Sequence, residues 1–82
     1  MSIRIFIVDD HKIVRQGLRS LLAKQTDLEV VGEADTGLTA VQLVQELLPD
    51  VIIMDVAMPD LNGIEATRLI VGKLASIKVV AL

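Results

Sequence analysis

Three carboxylates stand out by position. Asp9 and Asp10 close the apolar run Ile5-Phe6-Ile7-Val8, and Asp55 closes a second such run, Val51-Ile52-Ile53-Met54. Taken singly, each has an ordinary structural role: Asp10 as a helix cap, Asp9 as a solvated loop residue, Asp55 as a strand terminator. Brought to one place they repel one another, a cost that a bound cation removes. Oxygen donors without His or Cys suit a hard ion, Mg2+ first and Mn2+ or Ca2+ next. Mg2+ held by a few carboxylates keeps positions open for water and phosphate oxygens, which points to phosphoryl chemistry, and an aspartate can itself be the nucleophile that forms an acyl phosphate. Asp55, alone at the end of its strand, is the natural acceptor, with Asp9 and Asp10 holding the metal.

The elements around these acids decide whether they meet. Residues 3–8 read as a strand buried on both faces. From Ile13 the period changes, and Ile13, Val14, Gly17, Leu18, Leu21 and Leu22 share one face of a helix over about 11–24, with Asp10 as its N-cap. A short strand over 28–31 precedes the turn-rich Gly32-Glu33-Ala34-Asp35-Thr36-Gly37, whose Asp35 or Thr36 can cap a second helix that runs to Leu48 and ends at Pro49. After the strand Val51–Met54 comes a third helix, with Asn62 and Glu65 in capping-box spacing and Ile64, Thr67, Ile70 and Leu74 on one face. Residues 78–82 begin a fourth strand. Strands that are apolar throughout, alternating with helices, predict an α/β fold with an all-parallel sheet covered by helices on both faces, a flavodoxin-like, doubly wound sheet if the strand order is 2-1-3-4. In that order the reversal falls between strands one and three, the two that end in acids, and ligands bind at such a reversal.

Composition narrows the function classes. With 82 residues there is room for one domain at most, and the absence of Cys excludes a disulfide scaffold, a thiolate zinc site and a Cys nucleophile. Mean hydropathy is high at +0.61, yet the apolar runs fall far short of the roughly 18 residues that span a bilayer. No secretory signal is visible at the start, so a soluble, cytoplasmic protein without membrane contact is expected. The net charge of −3 gives no general attraction to nucleic acid.

The stretches Ile5-Phe6-Ile7-Val8-Asp9-Asp10, Asp50-Val51-Ile52-Ile53-Met54-Asp55 and Met58-Pro59-Asp60-Leu61-Asn62-Gly63 together resemble the receiver domains of two-component response regulators, over essentially the whole chain. Val8-Asp9-Asp10-His11 to Gly17-Leu18, and Val31-Gly32-Glu33-Ala34, are most similar to receivers that precede a LuxR-type helix-turn-helix output domain. The resemblance implies that Asp55 is the phosphoacceptor, charged by the histidine of a sensor kinase in a self-catalysed transfer. It implies that Asp10 is a direct Mg2+ ligand, that Asp9 holds the ion through water, and that the backbone carbonyl of Ala57 completes the protein ligands. It implies also that 1–82 is the N-terminal portion of such a domain. The switch Ser or Thr and the later Lys of the family would lie past Leu82, and DNA would be reached only through a C-terminal domain outside this chain.

Other signals are weaker. His11 has no partner at ligand spacing and reads as a helix-start residue. Lys12, Arg15 and Arg19 read as a solvated face, although the resemblance implies kinase docking on this helix. Gly32 and Gly37 have P-loop spacing, but Leu38-Thr39 stands where Lys-Ser/Thr is required. An aspartate-nucleophile phosphatase would want an acid at Ala57, and a flavodoxin-like FMN module would want a hydroxyl-rich loop in place of Asp9-Asp10. Right-handed crossovers put the first helix on one face of the sheet and the next two on the other, leaving much of the first face bare. The 82 residues are therefore expected to be unstable alone, to pair as a homodimer through that face, or to belong to a longer chain.

Overall fold

The computed structural model describes residues 2–55, 68 and 77–81. The elements follow in the order β1 (Ile3–Val8), α1 (Lys12–Ala23), β2 (Leu28–Ala34), α2 (Gly37–Leu47), β3 (Val51–Met54) and β4 (Lys78–Ala81). Every strand pair among the described residues is parallel, as the alternation of strands and helices predicts, and the sheet order is β2-β1-β3-β4. The expected third helix falls outside the described residues, as does Leu82.

β1 is central, which is why it needs no polar face. Ile5, Phe6, Ile7 and Val8 are all buried in succession. Phe6 and Val8 point to one side, where they pack with Ile52 and Met54 of β3, Ala40, Val41 and Val44 of α2, and Ile77. No residue of α1 joins that core, as expected if the two crossovers are right-handed and place the helices on opposite faces. Burying Phe6 and its neighbours at about 25 cal/mol per Å2 supplies the main driving force that locks α2 onto the sheet. Asp50 fastens the amino edge: its carboxylate and carbonyl accept the N–H groups of Arg4 (2.8 Å) and Lys78 (3.1 Å), and its own N–H donates to the Arg4 carbonyl (2.8 Å).

Four local expectations need correction. β2 does not stop at Val31 but continues to Ala34, so Gly32-Glu33-Ala34 is strand and not turn. The reason is packing: a Cβ on Gly32 would stand 2.9 Å from Leu47 Cδ1 and 3.0 Å from Phe6 Cε2, so the glycine is what lets β2 lie against the Phe6 ring. Within this pair of strands Ile5 faces Val30 whereas Phe6 faces Gly32, leaving Val31 as an extra residue, a β-bulge. α1 begins at Lys12 with His11, not Asp10, at the N-cap, and no side chain caps it. α2 is capped by Thr36, one of the two expected caps, whose hydroxyl accepts the N–H of Thr39 (3.1 Å), but it ends at Leu47 and not Leu48, which is a left-handed C-cap before Pro49. Finally, α1 has no buried residue at all. Ile13 is 80% exposed and Leu21 62%, so the apolar face read from the sequence lies largely uncovered among the described residues.

Candidate functional site

The carboxyl ends of β1 and β3 sit side by side, and hydrogen bonds carry the pairing past the strands themselves. Asp9 donates its N–H to the Ala34 carbonyl (3.1 Å), and Asp55 donates its N–H to the Val8 carbonyl (2.9 Å). The two acids are thereby set next to each other at the sheet edge where the strand order reverses. Asp9 is buried and Asp55 half-buried, whereas the Asp10 side chain keeps 28% of its surface exposed. One ligand atom from each of Asp9, Asp10, His11 and Asp55 lies within 4.8 Å of all the others.

His11 is the member that spacing alone did not supply. Its main-chain N–H donates to Asp9 Oδ1 (2.8 Å), and its ring folds back so that Nδ1 lies 3.0 Å from Asp9 Oδ1 and 2.9 Å from Asp10 Oδ1. The hydrogen bond to Asp9, reinforced by the charge of Asp10, raises the imidazole pKa above its ordinary 6.5. A protonated ring donates to Asp9 and pairs by charge with Asp10, partly neutralising both. A signal for this existed in the sequence: a ring two residues after an acid, at the first turn of a helix, reaches back to the loop it leaves.

Arg15 and Glu33 also belong to this neighbourhood. The Arg15 guanidinium donates to the Asp9 carbonyl (2.7 Å) and to Glu33 Oε1 (3.3 Å), and Arg19 Nε approaches Glu33 Oε2 at 3.6 Å. A wholly solvated face is therefore the wrong reading for Arg15, whose side chain is only 12% exposed. The ends of β1 and β2 present it with a carbonyl and a carboxylate, and these outweigh hydration. Ala57 and the Met58-Pro59-Asp60-Leu61-Asn62-Gly63 stretch lie outside the described residues.

The donor set fits a hard divalent ion: three carboxylates converge, one of them buried, and Asp10 is open enough to admit hydrated metal and phosphate. Among the described residues no helix is long and apolar enough to cross a membrane.

The family model described as the response regulator receiver domain matches residues 5–82. The chain is 46% identical over 82 residues to the response regulator protein VraR of Staphylococcus saprophyticus, covering all of this chain and 39% of that protein. It is 48% identical over 80 residues to the transcriptional regulatory protein LiaR of Bacillus subtilis, covering 98% of this chain and 38% of that one. A crystal structure of a LuxR-family two-component response regulator from Aurantimonas superposes with a TM-score of 0.93 at 38% identity, over 99% of this chain and 58% of that chain. The chain thus spans about two fifths of the length of these curated relatives. On this evidence of sequence and fold together, the chain belongs to the response regulator receiver domain family.

Proposed function

We propose that this chain is the N-terminal portion of the receiver of a two-component transcription regulator, and that Asp55 accepts a phosphoryl group from the histidine of a sensor kinase. The observation that carries the reading is the meeting of Asp9, Asp10 and Asp55 at the point of strand reversal. A carboxylate oxygen of Asp55 attacks phosphorus as the bond from phosphorus to the kinase imidazole breaks, so the transfer is catalysed by the receiver's own site. Asp9, Asp10, Asp55 and the carbonyl of Ala57 are the residues assigned to hold Mg2+. When bound, the ion screens the charge between the carboxylates and the phosphoryl oxygens. The buried Asp9 is tied to the loop by the His11 N–H, which keeps it aimed at the cluster. The phosphorylated form acts on transcription through a DNA-binding domain outside this chain, in the cytoplasm.

The test is phosphate uptake by the whole protein from a small phosphodonor, with and without Mg2+, read by mass. A single acid-stable, base-labile phosphate that requires Mg2+ is expected, and Asp55→Asn should abolish it. Uptake that survives in Asp55→Asn would remove the acceptor assignment.

A further inference from the structure

α1 meets the sheet in an unusual way. Its apolar side chains Ile13 and Leu21 are largely exposed, whereas the cation Arg15 has a side chain only 12% exposed. A sequestered guanidinium needs partners, and it has two at the sheet edge, the Asp9 carbonyl at 2.7 Å and Glu33 Oε1 at 3.3 Å. That carbonyl belongs to the peptide unit joining Asp9 to Asp10. Because the unit is planar, holding its oxygen restricts how the plane that carries the Cα atoms of both acids can tilt. The main-chain N–H of Arg15 meanwhile donates to the His11 carbonyl (3.1 Å), so one residue grips the loop on both sides of Asp10.

We infer that Arg15, anchored by Glu33, is a positioning residue that sets the Asp9–Asp10 peptide so that both carboxylates face Asp55. The inference rests on the metal-assisted phosphoacceptor reading above, and adds to it two residues that touch neither metal nor phosphate. Glu33 holds the guanidinium from the end of β2, and Arg19 adds a second cation to the same carboxylate. The planar fork of arginine matches this task, since it bonds a carbonyl and a carboxylate from one rigid group, which the single ammonium of lysine does not do.

Mg2+ affinity of the whole protein, measured by titration calorimetry, tests this. Groups that orient metal ligands without touching the ion typically change affinity by about 10–100-fold when removed, and a loss in that range is expected for Arg15→Gln. Arg15→Lys should recover only part of it. Glu33→Gln should lose less than Arg15→Gln, and the double variant should lose no more than Arg15→Gln alone, because the two act as one unit. Leu22→Ala, which removes a half-buried side chain from the same helix, is the structural control: it should lower the unfolding midpoint and leave affinity within about twofold of wild type. Wild-type affinity in Arg15→Gln, full recovery in Arg15→Lys, additive losses with Glu33→Gln, or an equal loss in Leu22→Ala would each overturn the inference. Failure of the underlying metal reading looks different: wild-type protein would take up no Mg2+, or Asp10→Asn would keep wild-type affinity whatever stands at position 15.

Discussion

Asp9 divides its polar atoms between two tasks. Its carboxylate faces the cluster and accepts the His11 N–H, and its carbonyl accepts the Arg15 guanidinium. Asp10 shows no such structural duties among the described residues, since His11 stands at the N-cap and the Asp10 carboxylate pairs with the exposed ring. The two acids should therefore separate on substitution. A ligand that binds only the folded state stabilises it by about 2.7 kcal/mol at 100 times its Kd. Saturating Mg2+ is expected to raise the stability of the wild-type protein by an amount of that order, measured by urea unfolding against a chelated control. In Asp10→Asn the Mg2+ increment should vanish while the chelated stability stays close to wild type. A full increment in that variant would dismiss Asp10 as a ligand.

At the scale of elements, what was legible in the sequence was whatever burial dictates. β3 is a continuous apolar run and β1 is one from Ile5 onward, with Arg4 at its open amino edge, because the stretch of a strand covered on both faces has no place for a polar residue, and both strands were found at the expected bounds. Their terminal acids were readable for the same reason, as the first charges after each run. The second half of β2 was not legible, since Gly32, Glu33 and Ala34 carry no strand pattern; their conformation is decided by the Phe6 ring and Leu47, which are remote in sequence. Arg15 was missed for a related reason: its shortest bond is to a backbone carbonyl, and backbone groups have no letter. Gly32→Ala should cost about 1–3 kcal/mol by overpacking, read as a lower midpoint of chemical unfolding with an unchanged slope. Leu47 can yield at its tip, but Phe6 is wholly buried and cannot. An unchanged midpoint would show that the Phe6 contact does not hold β2 in place.

Across the whole molecule the two faces of the sheet are unequal. On the α2 side Phe6, Ile52 and Val79 run from strand to strand within or against one core. On the other side the corresponding row is Ile7, Ile53 and Val80, and exposure climbs along it from 0% at Ile7, through a half-buried Ile53, to 49% at Val80. With Ile13 and Leu21 exposed on α1, several large apolar side chains stand open among the described residues. Prepared as 82 residues alone, the chain should associate as dilution is reversed or unfold without a sharp transition, as followed by sizing and urea denaturation. A compact monomer with cooperative unfolding would show that the face needs no cover.

The bulge at Val31 has one more effect, on which side of the sheet a residue belongs to. A strand alternates strictly, so its even and odd positions never exchange faces. One surplus residue reverses that parity for everything after it. Leu28 and Val30 share a side with Ile3 and Ile5, and an unbroken count would send Gly32 and Ala34 to the same side and Glu33 to the α2 core. Past Val31 the count is reversed: Gly32 and Ala34 join Phe6 and Val8, and Glu33 falls beside Ile7, on the side where Arg15 and Arg19 reach it. A half-step in the strand thus decides whether that carboxylate meets hydrocarbon or a cation.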